Sequence, residues 1–277
     1  MKFKLISTDI DDTLVPCGRP FADDYVVQKL RELQQKGIYV VPNTGRGIHN
    51  LPKNISKANI QYAICANGSK VYDLQKEKVI YDASIDYKLA ASIFKELKEL
   101  KVPFFCFAEK GAYADTYIRD HLLNYALHKD LADMLITYDN LMETFYDNQM
   151  PVQKIIAIFL EDTPIKREQV VTIIKEKFPS IATCHSNTFN LEINNKKANK
   201  QVGLKTLCDY LNIDLSEVIV CGDNDNDIPV LSMGCFNLVP ENGTDNAKKY
   251  ANVITESCEN NGIVKYLHQL LKEASHQ

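Results

Sequence analysis

No stretch of this 277-residue chain approaches the ~20 consecutive apolar residues that a membrane span requires. The apolar run between Met1 and Asp9 is far shorter than a secretory leader core, and Asp9 interrupts it, so a soluble cytoplasmic protein without membrane partners is expected. A basic excess is also missing. Thirty-two Lys and Arg against 36 Asp and Glu leave a net charge of −4, which offers no electrostatic footprint for nucleic acid. None of the eight cysteines (17, 65, 106, 184, 208, 221, 235 and 258) forms a CxxC pair, and several lie inside apolar runs. Buried free thiols in a reducing compartment are expected rather than a disulfide framework. No His/Cys set stands at zinc-ligand spacing, and there is no internal repeat or low-complexity segment. What remains is an ordinary globular composition, 45% hydrophobic and 25% charged. At ~150 residues per domain, the length predicts two domains or one domain carrying a large insert.

Four short apolar runs each end in a polar cluster. Phe3–Ser7 leads into Thr8-Asp9-Ile10-Asp11-Asp12-Thr13, and Ile38–Val41 into Asn43-Thr44-Gly45-Arg46. Tyr62–Cys65 leads into Ala66-Asn67-Gly68-Ser69, and Val218–Cys221 into Gly222-Asp223-Asn224-Asp225-Asn226-Asp227. The runs are continuous rather than alternating, as in strands of a parallel sheet buried on both faces. Helical spacing of Tyr25, Val26, Leu30 and Leu33 predicts a helix over Ala22–Lys36, stopped by Gly37; Val202, Leu204, Leu207 and Leu211 predict another over Ala198–Leu211. Strand, helix and strand at this spacing are βαβ units, whose ligands bind at the carboxyl ends of the strands, where all four clusters lie. The middle of the chain, residues 84–188, differs. Tyr87–Leu100 and Pro164–Phe178 read as helices, and Val102–Phe107, Ile155–Leu160 and Ile181–Cys184 as strands, with no comparable polar cluster. A second α/β domain inserted into the first is expected there.

Asp9 and Asp11 follow a buried strand two residues apart. Two carboxylates in one poorly solvated crevice repel unless a cation or a shared proton offsets them. An acidic turn in which Thr13 caps the next helix would look the same. Asp223, Asp225 and Asp227 are equally open to two readings, since carboxylates also suit a helix start. A doubly wound sheet would bring both groups together, however, and four or five carboxylates in one crevice call for a hard divalent cation such as Mg²⁺. Lys200 opens a helix, where its charge opposes the dipole, so it reads as a partner for a carboxylate and for phosphate oxygens. Thr44 and Gly45 offer a hydroxyl and open N–H groups for a phosphate, or a plain strand-to-helix turn.

Taken in order, DIDDTL at Asp9–Leu14, NTGR at Asn43–Arg46, Lys200 and GDNDND at Gly222–Asp227 resemble the motif set of the haloacid dehalogenase superfamily. With Asn67-Gly68 and the long insert before Lys200, the chain looks like the Cof-type sugar-phosphatase branch, whose α/β cap lies between the second and third motifs. The segments Asn237–Tyr250 and Asn261-Gly262-Ile263 are similar to that branch's tail. The resemblance spans nearly the whole chain and is weakest in the cap. It implies an α/β fold: a Rossmann-like parallel-sheet core of residues 1–83 and 189–277, with a cap of residues 84–188.

The resemblance also implies a Mg²⁺-dependent phosphatase that cleaves a small phosphate ester, a sugar phosphate, through an aspartyl-phosphate. Asp9 would be the nucleophile. Asp11 would protonate the leaving oxygen and then activate water. Thr44 and Lys200 would hold the phosphoryl group, with Gly45, Asn67 and Asn226 beside them. Mg²⁺ would bind Asp9, the Asp11 backbone carbonyl and Asp223, with Asn226 and Asp227 in support. Asp12 and Gln201 depart from the pattern, standing where glycine is commoner. Asp11 itself speaks for ester chemistry, since dehalogenases of the superfamily lack it. Mutases with a helical cap after the first motif do not fit, because the interval from Thr13 to Thr44 is too short. Arg46 from the core, and His185, Ser186 and Asn187 from the returning edge of the insert, are candidate substrate contacts. The alternatives are a phospho-acceptor signalling domain and a sugar-phosphate-binding regulator without turnover. Either a monomer or a homodimer is compatible with the sequence.

Overall fold

The structure, a computed structural model, describes residues 2–17, 19–124, 129–184 and 189–273. The chain divides into two compact units, one of Met1–Asp82 with Asn199–Gln277 and the other of Ala83–Ala198.

In the first unit, β1 (Leu5–Thr8), α1 (Asp24–Gln35) and β2 (Tyr39–Pro42) form the opening βαβ turn, followed by β3 (Tyr62–Cys65), β4 (Lys70–Asp73) and β5 (Lys78–Asp82). In the second unit come α2 (Tyr87–Glu99), β6 (Phe104–Ala108), β7 (Gly111–Asp115), α3 (Thr116–Leu122), α4 (Lys129–Met134), β8 (Leu135–Tyr138), α5 (Leu141–Asp147), β9 (Lys154–Ile158), α6 (Arg167–Lys177), β10 (Ile181–Cys184) and β11 (Asn190–Asn195). The chain then returns to the first unit with α7 (Lys200–Leu211), β12 (Val218–Cys221), α8 (Ile228–Leu231), β13 (Phe236–Pro240), α9 (Asp245–Lys248), β14 (Val253–Thr255) and α10 (Gly262–Glu273).

The first unit is built on a parallel sheet ordered β14-β13-β12-β1-β2. Its continuous apolar strands bury both faces. Ile6, Val40, Ile219 and Leu238 pack with Val26, Leu30 and Leu33 of α1 and with Ile263 and Leu267 of α10. Leu5, Val41, Val220 and Val239 pack on the other face with Leu204 and Leu207 of α7 and with Leu231 of α8. Tyr25, expected in the apolar stripe of α1, is 40% exposed, and Val27 is buried instead. An antiparallel ribbon, β3-β4-β5, continues the sheet through one parallel bridge, Asn43 to Ile64. Register fixes the functional end: Thr8 lies level with Cys221 on one side and with Pro42 on the other. The loops that follow β1, β2 and β12 therefore leave the sheet side by side.

The second unit is a six-stranded sheet ordered β10-β11-β9-β6-β7-β8, antiparallel except for the β7–β8 pair. Phe104, Cys106, Ile155, Ala157, Leu191 and Ile193 line one face, under Phe94 of α2, Phe145 of α5 and Ile174 of α6. The alternate residues Phe105, Ile156 and Ile158 pack on the other face with Ile118 and Leu122 of α3. The chain returns to the first unit at Asn199 rather than at residue 189, because β11 pairs with both β9 and β10 and so belongs to the second sheet. Among the described residues, no helix is long and apolar enough to cross a membrane.

Candidate active site

The loop after β1 is shaped by its own sequence. Ile10, Leu14 and Val15 are buried in the core, and the Ile10 carbonyl accepts from the N–H groups of Leu14 and Val15 at 2.9 Å each. This tight turn leaves Asp9, Asp11 and Thr13 to face polar neighbours. Asp12 sits at its crest with φ 55°, a left-handed conformation that glycine or a short Asx residue adopts most readily. The aspartate is accommodated because its Oδ1 accepts from Cys17 N–H at 2.9 Å, and Asn242 Nδ2 donates to its carbonyl at 2.8 Å. Gln201, the other departure from the commoner glycine, is exposed on α7 and leaves the site untouched.

Asp9, Asp223 and Asp227 converge, with ligand oxygens all within 4.8 Å of one another. All three are buried, as is Lys200, whose Nζ lies 3.0 Å from Asp9 Oδ2 and 2.6 Å from Asp227 Oδ1. These contacts answer the sequence puzzle of a cation opening α7. Asn199 caps that helix by accepting from Val202 N–H at 2.8 Å, and the Lys200 charge is met by two carboxylates rather than by the helix. Gly68 is needed for the approach of this helix start: it has φ +86°, and a Cβ there would lie 2.1 Å from the Asn199 carbonyl oxygen. Burial opposes the Lys200 charge, but Asp227 and Asp9 outweigh it and hold its pKa above the ordinary value.

Asp227 serves as a strut. Its Oδ2 accepts from the N–H groups of Asp223 and Asn224 at 3.1 and 3.2 Å, and its Oδ1 accepts from Lys200. Gly222 makes room for it, since a Cβ there would come within 2.6 Å of Asp227 Cγ. Asp227 thus organises the site, and it still offers an oxygen within 4.8 Å of those of Asp9 and Asp223. Asp225, grouped with it in the sequence, turns away: it is exposed and accepts from Thr244 Oγ1 at 3.1 Å.

Asp223 receives a 2.5 Å hydrogen bond from Thr13 Oγ1, which spends its hydroxyl here rather than as a helix cap. Burial first, then Asp9 and Asp227, push the Asp223 carboxyl up to about 8. Burial also raises Asp9, to about 7: Lys200 pulls it down, but Asp227 and Asp11 push it up. One ammonium cannot neutralise three carboxylates removed from water, and two negative charges are left over. Either protons or a divalent cation must offset them. Asp9 Oδ1 is buried without a hydrogen-bond partner, and Asn226 Oδ1 likewise. An all-oxygen donor set with this charge and an unmet carboxylate oxygen fits a hard divalent cation.

Asp11 stands apart from the trio. Arg46 grips it with two parallel hydrogen bonds, Nε to Oδ2 at 2.9 Å and Nη2 to Oδ1 at 2.6 Å. Thr44 is fully buried, and its Oγ1 accepts from Arg46 N–H at 3.1 Å. Gly45 lies half-buried between them. Asn67, buried with φ 58°, donates its N–H to the Thr44 carbonyl at 3.0 Å. His185, Ser186 and Asn187 lie outside the described residues. Two supports have little signal in the sequence. Asn43 Nδ2 donates to Ser7 Oγ at 3.2 Å and to the Lys200 carbonyl at 3.1 Å, joining two loops. Asn242 and Thr244 brace the loops from β13, the latter through its N–H to the Asp223 carbonyl at 2.8 Å. Cys65 and Cys221 end their strands nearby; burial raises both thiols well above the ordinary value, which suits packing and not nucleophilic chemistry.

Comparison with known proteins agrees with this geometry. A family model described as haloacid dehalogenase-like hydrolase matches residues 6–267. A Mycoplasma genitalium protein that carries the name "Putative phosphatase MG265" is 31% identical, over 98% of this chain and 99% of its own. "Putative phosphatase YxeH" of Bacillus subtilis is 25% identical, over 97% of this chain and 98% of its own. Among solved structures, a haloacid dehalogenase-like hydrolase from Bacteroides thetaiotaomicron superposes with a TM-score of 0.84 at 17% identity, covering 97% of this chain and 99% of its own. A subclass IIB sugar phosphatase of the same superfamily gives a TM-score of 0.76 at 19% identity, with 96% and 98% covered. Those two likenesses speak to the fold; the family follows from the matched model and the full-length relative. The chain belongs to the haloacid dehalogenase-like hydrolases and is a phosphatase of that family.

Proposed function

We propose that this phosphatase hydrolyses a small phosphorylated metabolite, a sugar phosphate, with Mg²⁺ and an aspartyl-phosphate on Asp9. The observation that carries the proposal is the state of Asp9. One of its oxygens is held by Lys200, the other is buried without a partner, and the residue ends a central strand beside Asp223. In the first half-reaction a carboxylate oxygen of Asp9 attacks phosphorus and the ester P–O bond breaks. Asp11 gives its proton to the departing oxygen, and an alcohol leaves. In the second half-reaction water attacks the phosphoryl group, Asp11 takes a proton from it, and the Asp9–phosphorus bond breaks to release inorganic phosphate. Lys200 and the Thr44 hydroxyl hold the phosphoryl oxygens. Asp9, the Asp11 carbonyl and Asp223 would hold Mg²⁺, with Asn226 alongside and Asp227 fixing the loop. When bound, the metal supplies positive charge to offset the phosphoryl oxygens.

Residues 1–82 and 199–277 serve as the catalytic core, and Ala83–Ala198 as the cap that selects the leaving group. A sugar phosphate is favoured by the fold likeness to a sugar phosphatase. A cytoplasmic location suits the buried free thiols. The test is hydrolysis of p-nitrophenyl phosphate, then of a panel of phosphorylated metabolites, with Mg²⁺ and with EDTA. Turnover should need the metal and disappear in Asp9→Asn. Metal-dependent turnover that survives Asp9→Asn would sink the assignment.

A further inference from the structure

Arg46 follows Thr44 by two residues, a place from which a guanidinium could reach a substrate phosphate. Its contacts point instead to Asp11. Besides the two bonds to Asp11, Nη1 donates to the Asn50 carbonyl at 3.0 Å and Nη2 to the Arg19 carbonyl at 3.4 Å. Four of the five guanidinium protons are thereby spent on one carboxylate and two loop carbonyls. The backbone of Arg46 is pinned as well, because its carbonyl accepts from Ala66 N–H at 2.8 Å and its N–H donates to Thr44 Oγ1 at 3.1 Å. The side chains are partly covered, at 17% exposure for Arg46 and 31% for Asp11, so water does not freely replace the pair. A two-pronged grip fixes both position and plane of a carboxylate, which a lysine could not do. Each Asp11 oxygen keeps one further lone pair, which can carry the proton given to a leaving group or accept one from a water.

We propose that Arg46 is a positioning residue that acts on the reaction through Asp11, aligning it for the leaving-group step, and does not bind the phosphoryl group. The inference rests on the phosphatase reading given above, in which Asp11 carries the proton. Its mark is dependence on the leaving group. An alkyl alkoxide must be protonated as it departs, whereas p-nitrophenolate leaves without a proton.

The experiment compares the full-length enzyme with Arg46→Ala on p-nitrophenyl phosphate and on glycerol 3-phosphate or a hexose 6-phosphate. In single turnover, which reads the phosphorylation half-reaction alone, the rate for the alkyl ester should fall ~100-fold or more, within the usual range for losing an aligned acid–base group, and for the aryl ester less than ~10-fold. Added guanidinium should restore alkyl-ester turnover in the variant. In an Asp11→Asn background, Arg46→Ala should cost no further activity. Arg46→Lys, which keeps the charge without the fork, should show the same selective loss and serves if the alanine variant does not fold. Equal single-turnover losses on both esters, a change confined to KM, or additive losses in the double variant would overturn the proposal while leaving the phosphatase reading intact. A wild-type enzyme that hydrolyses neither ester would overturn both.

Discussion

Without a cation, the carboxylate trio favours protons, and this has a measurable consequence. Burial, followed by mutual repulsion, raises Asp9 to about 7 and Asp223 to about 8, from an ordinary 3.8. The sign follows from linkage. Between pH 3.8 and about 8 the folded chain holds more protons at Asp223 than the unfolded chain does, so stability is fully present near pH 4 and falls as pH rises through that window. Four pH units at ~1.4 kcal/mol each set a ceiling of about 6 kcal/mol for this one carboxyl. A divalent cation stabilises the ionised forms and should remove most of the loss, and its binding should release protons. Thermal unfolding at pH 5 and pH 8, in EDTA and in excess Mg²⁺, tests this directly. At pH 5 the two conditions should nearly coincide. At pH 8 the EDTA sample should melt lower by roughly 10 °C, a shift of the size a few kcal/mol produces in a chain of this length. Asp223→Asn should flatten the pH dependence in EDTA. A gap between EDTA and Mg²⁺ that is the same at both pH values would refute the reasoning.

Three other perturbations follow from the same geometry. Lys200→Met should lower kcat by three orders of magnitude or more and destabilise the fold by about 3 kcal/mol, since it strands Asp9 and Asp227 without their buried cation; steady-state kinetics and urea unfolding measure the two. Gly222→Ala should displace the Asp227 carboxylate from Lys200, because the new methyl would sit 2.6 Å from Asp227 Cγ, so activity should drop at least ~10-fold with a stability loss of about 2 kcal/mol. Asp12→Gly should be nearly silent, within about 1 kcal/mol in denaturant unfolding: glycine relieves the left-handed φ of 55° but gives up the Asp12 hydrogen bond to Cys17 N–H.

The sheet of the first unit was legible because its strands are short, continuous apolar runs, and each of the four polar clusters follows one of them. The parallel register then brings Asp9, Thr44 and Asp223 together without further information. What the sequence hid depends on loop conformation. Asp225 and Asp227 are two residues apart on a single 3₁₀ turn, and only their hydrogen bonds tell which faces Lys200 and which faces solvent. The grip of Arg46 on Asp11 joins positions 35 residues apart and needs both loops folded before it can be seen. In the second unit, β7 is Gly-Ala-Tyr-Ala-Asp and β11 is Asn-Leu-Glu-Ile-Asn-Asn. Small and polar residues give those strands little contrast with loops, so the sequence carries little signal for the return boundary.

The two points at which the insert joins the first unit are not equivalent. The chain leaves after Asp82, at the end of β5, whose residues are half-exposed or exposed. It comes back at Asn199, the cap of α7, one residue before the buried ammonium of Lys200 and in tight register with Gly68. Exchange of the insert by recombination is therefore lopsided. The departure point tolerates added or deleted residues as any surface hairpin end does. At the arrival point, a shift of a single residue would move the lysine away from its two carboxylates. Chimaeras that vary the first junction should keep a working site, whereas the second junction admits only sequences that deliver an Asn-Lys pair at this phase of the helix.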